Sequence, residues 1–200
     1  MVSLHKDTLD IFSFFRLLKF NIFFMQRKLN QAFHELEAVK NEIINLIKAQ
    51  SNEQLNKAPA ANKWTILQIT AHLMSSENKS LIYMKKKIQA GNNLPASTIA
   101  SAFRAWLLRF FLKSPVRVKA PPVLDIPEPY YEKDVLIQQW NDQRKELSEF
   151  LAQLPPEVIQ HDLFKHPVAG RKNVIQALRF MSTHATRHYN QMKDIIESAQ

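Results

Sequence analysis

The chain has 200 residues, enough for one domain with a sizeable core, and 46% of them are hydrophobic against 22% charged, as in ordinary globular proteins. Two glycines speak against a β-rich or Rossmann-type chain, and the absence of cysteine excludes disulfides, thiolate metal sites and a cysteine nucleophile. The net charge of +9 is local: no Asp or Glu occurs from Asn78 to Leu124, a stretch with nine Lys and Arg, so one segment carries the whole excess and suggests an anion-attracting surface.

In chain order, LDIFSFFRLLKFNIFFM (Leu9 to Met25) comes first and is apolar nearly all round a helix. Asp10, Arg16 and Lys19 interrupt it, which makes it a poor transmembrane span. It also lacks the flanks of a signal peptide. Three readings stand: an extra packing helix, a helix in contact with a membrane surface, or translated sequence upstream of a start at Met25. The last is preferred, because a complete amphipathic helix begins immediately after Met25. Residues 1–24 are then an extension, residues 25–200 form the domain, and a chain begun at Met25 is expected to fold.

That helix runs from Met25 to Gln50, with Leu29, Phe33, Leu36, Val39, Ile43 and Leu46 in one apolar stripe. Ser51 to Lys63 reads as a polar linker. A second helix is expected from about Trp64 to Ala90, stopped by Gly91, Asn92, Asn93 and Pro95. A long, proline-rich connection to Tyr131 follows, with a short helix expected over Thr98 to Lys113. The third helix, Glu132 to Leu154, presents Leu136, Trp140, Leu147, Phe150 and Leu154 on one side and ends at Pro155 and Pro156. After a loop from His161 to Lys172, Asn173 and Gln176 form a capping box that opens a fourth helix ending near Ser198. No segment has strand periodicity. The expectation is all-α, a four-helix bundle. The short first linker makes helices 1 and 2 antiparallel, and the long second connection lets helices 2 and 3 run parallel.

His184 and His188, at i and i+4, share one face of the fourth helix. His72 is the only histidine of the second helix, about 12 Å from its start, and falls level with His188 if those helices are antiparallel. Two readings stay open on spacing alone: ordinary polar residues, or a three-nitrogen clamp that leaves a position open for water or substrate. A clamp of this kind suits a divalent ion, with nickel or zinc best matched to nitrogen ligands. HATRH lacks the glutamate of HExxH, so a metalloprotease reading fails. Gln68 and Gln191 each lie one turn from a histidine and are candidates to orient imidazoles or substrate, as is His166 at the rim of the site. For His166 packing in its loop is the preferred reading. Gly170 is expected to hold a backbone conformation that other residues avoid. No catalytic acid or base is assigned.

Trp64-Thr65-Ile66-x-x-Ile69-x-x-His72-Leu73, then His166-Pro167-x-x-Gly170, then His184-x-x-x-His188-x-x-Gln191, resembles in order the DinB-like (DinB/YfiT) superfamily, over about Met25 to the C-terminus. The resemblance implies an up-down-down-up bundle, often a homodimer, with a divalent metal ion on His72, His184 and His188. It further implies metal-dependent hydrolysis or transfer of a low-molecular-weight thiol. The alternative is a non-catalytic metal-binding or stress-linked interaction module. A small, anionic substrate in the cytoplasm is expected, with the basic segment Asn78 to Leu124 as one wall of the entrance. Nucleic acid ranks last: Trp106, Phe110 and Phe111 interleave with Arg104 and Arg109, but at helical spacing, where aromatics more often pack.

Overall fold

The computed structural model describes residues 4–90, 127–166 and 170–198. Its first helix, α1 (Leu4–Lys48), is unbroken through Met25, where the amphipathic pattern had set the start of a helix. Residues 4–24 contain neither glycine nor proline, so nothing local stops the helix from continuing N-terminally. At 1.5 Å per residue α1 is about 67 Å long, against about 36 Å for each of the two 24-residue helices described below.

The expected polar linker holds a one-turn helix, α2 (Asn52–Asn56). Ser51 and Gln54 close a capping box there, and Leu55 is fully buried. The next helix, α3 (Ile66–Gln89), starts two residues later than Trp64 because Thr65 is its cap, paired reciprocally with Gln68. The connection after α3, including the short helix expected over Thr98 to Lys113, lies outside the described residues. Helix α4 (Lys133–Ala152) is followed by a 3-10 turn over Pro156–Gln160. The loop read as irregular holds an antiparallel hairpin, β1 (Phe164–His166) with β2 (Gly170–Lys172), in the register Phe164 to Lys172, Lys165 to Arg171 and His166 to Gly170. Three-residue strands are too short for a periodic signal. Gly170 has φ 69°, the left-handed conformation that costs glycine nothing. Helix α5 (Val174–Glu197) opens on the Asn173–Gln176 capping box.

Two core clusters reveal the topology. One gathers Leu29 and Leu36 of α1, Leu81 and Met84 of α3, Leu147 and Leu151 of α4, and Val174 and Leu178 of α5. The other gathers Ile43 and Ile47 of α1, Ile66 and Leu73 of α3, Leu136 and Trp140 of α4, and Ala185 and Met192 of α5. The middle of α1, Leu29 to Leu36, therefore meets the C-terminal halves of α3 and α4 and the N-terminal half of α5, and the C-terminal end of α1 meets their opposite halves. The order is up-down-down-up. In α4 the buried stripe runs through Arg144 and Leu151, and Phe150 is only half-buried. No helix among the described residues is long and apolar enough to cross a membrane.

Candidate metal centre

Antiparallel packing of α3 on α5 sets the second turn of α3 against the middle of α5. His72 thereby meets His184 and His188. Each histidine offers a ring nitrogen, and the three nitrogens lie within 4.8 Å of one another. The His72 ring stands 5.3 Å from that of His184 and 5.2 Å from that of His188, edge to face in both cases. Nε2 of His184 and Nε2 of His188 are 3.1 Å apart. Two nitrogens on one zinc ion, each at about 2.0–2.1 Å, stand roughly 3.0–3.4 Å apart, so this pair is already at ligand spacing. All three imidazoles are half-buried, and no carboxylate joins the group among the described residues. The donor set suits a divalent cation with a position left for a further ligand.

The surroundings orient the rings. Nδ1 of His188 is 3.0 Å from Oε1 of Gln191, an acceptor, which places the ring N–H there and leaves Nε2 with its lone pair toward His184. Phe180 stacks on His184 with centroids 6.0 Å apart and planes at 10°. Trp64 leans on His72 at 5.3 Å and so forms one side of the site. Burial pushes the His188 imidazole down to about 4; the facing His72 acts in the same direction, the Gln191 hydrogen bond opposes it, and the Arg187 cation adds to the lowering. A histidine held neutral is a histidine ready to ligate.

The other residues singled out in the sequence go elsewhere. Gln68 is occupied: its Oε1 accepts from the Thr65 backbone N–H and its Nε2 donates to the Glu128 carbonyl at 3.0 Å. It caps α3 and ties the incoming chain to the bundle, with no bond to an imidazole. His166 stands in β1 opposite Gly170, at the turn of the hairpin. The described basic residues of the acid-free segment continue along α3 away from the site. Lys85, Lys86 and Lys87 are 13 to 15 residues beyond His72, about 20 Å along the helix, and Lys85 pairs with Glu146 at 2.6 Å. The rest of the expected entrance wall falls outside the described residues.

Sequence reasoning also missed a second polar centre. Glu77 is one helical turn and a half past His72 but turns to α4, where its Oε2 accepts from Trp140 Nε1 at 3.0 Å and from Arg144 at 2.8 Å. Arg144 Nε lies 2.9 Å from Oε1 of Glu37 on α1, and Lys40 reaches Glu37 at 3.3 Å and Asn141 at 3.1 Å. Burial raises the Glu77 pKa, and the Arg144 charge beside it opposes the rise. The available signal was register. Glu77 lies between Leu73 and Leu81, and Arg144 between Trp140 and Leu147, each at a position where the apolar stripe demands a core residue.

The comparisons with known proteins agree with this fold. The family model of the DinB superfamily matches residues 35–192. An uncharacterized protein of Bacillus subtilis (strain 168), YuaE, is 26% identical over 159 residues, covering 80% of this chain and 93% of that one. Among solved structures, YfiT from Bacillus subtilis, described as "a probable metal-dependent hydrolase with an unusual four-helix bundle topology", superposes with a TM-score of 0.57 at 16% identity, covering 86% of this chain and 87% of that one.

Proposed function

The chain belongs to the DinB superfamily, and from that premise we propose that it is an enzyme built around one divalent ion, nickel or zinc, held by His72, His184 and His188. Its reaction is the transfer of a low-molecular-weight thiol to an electrophile. The observation that carries this reading is the convergence of three imidazole nitrogens within 4.8 Å with no carboxylate among them. When bound, such an ion acts as a Lewis acid and lets a thiol or water at its open position lose its proton near neutral pH. A thiol needs no general base beyond that, whereas hydrolysis gains from a carboxylate that aligns water. Glu77, the nearest acid along α3, is engaged by Trp140 and Arg144.

Each residue then has a role. His184 and His188 form the preset pair, and His72 ties α3 to α5 through the third bond. Gln191 fixes the tautomer of His188. Trp64 and Phe180 flank the imidazoles and limit water. Metal-dependent hydrolysis is the second reading, supported by the likeness to YfiT and its description. A cytoplasmic setting belongs to both readings, since thiol cofactors are kept reduced there.

The test is calorimetric titration of zinc- or nickel-loaded protein with a small thiol, beside its S-methyl ether. The expected result is one equivalent of thiol bound with release of a proton, and no binding of the ether. Equal binding of both, or of neither, removes the thiol reading. Turnover of ester or amide substrates in that event supports hydrolysis.

A further inference from the structure

We infer that the projecting part of α1 is a membrane-surface helix, which lays Phe20, Phe23 and Phe24 into the headgroup boundary of an anionic lipid bilayer. Phe20 and Phe23 are 69% and 67% exposed, and Phe24 and Ile22 are exposed beside them. At 100° per residue the three phenylalanines occupy an arc of about 100°, roughly opposite the arc of Leu29, Ala32 and Leu36 that enters the core. Among the described residues, the helices packed on the inner side of α1 leave that face uncovered. The apolar character continues N-terminally from Phe20 to Leu9 on all sides of the helix, and a helix apolar all round is not stable against water alone.

Charge selects the covering surface. From Ile11 to His34 the sequence contains no Asp or Glu, but does contain Arg16, Lys19, Arg27 and Lys28. Met25 and Leu29 share a core cluster with Leu81, Met84 and Ile88 of α3. Residues 25–34 and 78–90, both without Asp or Glu, therefore meet at one end of the bundle, where Arg27, Lys86 and Lys87 are exposed. Lys28 Nζ lies 4.2 Å over the Phe24 ring, so cation and aromatic already share one spot on the helix. Apolar insertion with clustered cations is the combination that anionic membranes hold, by buried apolar area plus attraction to the negative surface. The helix is not apolar enough to span the bilayer, which leaves the interface as its place. A nucleic acid would use the cations but leave the apolar band uncovered.

The experiment is co-sedimentation of the full chain with vesicles of phosphatidylcholine alone or with about one-third phosphatidylglycerol, an anionic surface of the kind basic segments bind. The expected result is binding to the anionic vesicles, weakened by about tenfold or more in a Phe20→Ser, Phe23→Ser, Phe24→Ser variant that keeps the parent's helix content. Arg27→Glu with Lys28→Glu should weaken binding at low salt by about fivefold or more per charge, and much less at high salt. Amide exchange of the parent chain supplies a reading free of substitutions: vesicles should protect residues 11–27 selectively. Absence of sedimentation, undiminished binding by the triple variant, or no protection of those amides overturns the inference. So does tight binding of a single-stranded oligonucleotide that the phenylalanine changes leave intact, or a dimer that those changes dissociate in the absence of any vesicle binding.

Discussion

Helix α3 feeds two polar centres five residues apart, and they are built on opposite plans. At Glu77 the charges close on themselves: two carboxylates, Glu37 and Glu77, meet two cations, Lys40 and Arg144, with Trp140 and Asn141 completing the bonds. At His72 three imidazole nitrogens converge within 4.8 Å with no acid among them. A buried charge that finds its countercharge within the fold serves architecture, because removing either partner leaves the other buried and uncompensated. Imidazole nitrogens that converge without an acid are a donor set that a cation can bridge. The contrast sets the first centre, which holds α1, α3 and α4 together, against the second, to which the proposed function gives the chemistry.

The sharpest way to break the contrast is to delete one member of each centre. His188→Ala should lower metal affinity by about a thousandfold or more, one ligand's share of a structural site's binding free energy, and leave the fold intact. Elemental analysis after dialysis reads this directly, and stoichiometric metal in the variant would falsify the assignment. Arg144→Met should do the reverse. It leaves Glu77 buried without its cation, at about 3–5 kcal/mol of stability by denaturant titration, while the folded fraction still binds metal. If Arg144→Met instead abolished metal binding in folded protein, the two centres would be one coupled unit.

Acid sharpens the comparison further. In metal-free protein His188 is pushed from the usual 6.5 down to about 4. The unfolded chain then takes up a proton at His188 before the folded one does. The stability tied to this residue is present above pH 6.5 and is lost as pH falls through about 4. The loss should be about 3 kcal/mol, and His188→Ala should remove it from the pH profile. A profile unchanged by that substitution would mean the imidazole is not held neutral by burial. The smallest effect belongs to the orienting bond. Gln191→Ala should cost about tenfold in metal affinity with the melting temperature of the metal-free protein nearly unchanged, because the bond directs His188 without supplying core packing.

Local rules carried much of this protein. Apolar stripes at helical spacing, proline stops and the Asn173–Gln176 capping box are short-range, and they placed α3, α4 and α5 to within a few residues, whereas α1 starts 21 residues before the expected Met25. The same capping chemistry at Ser51–Gln54 and Thr65–Gln68 was equally legible and sets α2 and the start of α3. The i, i+4 spacing of His184 and His188 is likewise a property of one helix. What the sequence alone left undecided depends on pairs distant in the chain. His72 joins the pair only because α3 and α5 run antiparallel at one level of the bundle. Glu77 turns from the histidines toward Arg144 only because α4 lies parallel to α3. The Gln68 side chain is drawn to the Glu128 carbonyl 60 residues on, a partner no local pattern announces. Helix formation follows from bonds across four residues, whereas the partner of a polar side chain is chosen by which helices share a face. That choice belongs to the tertiary structure.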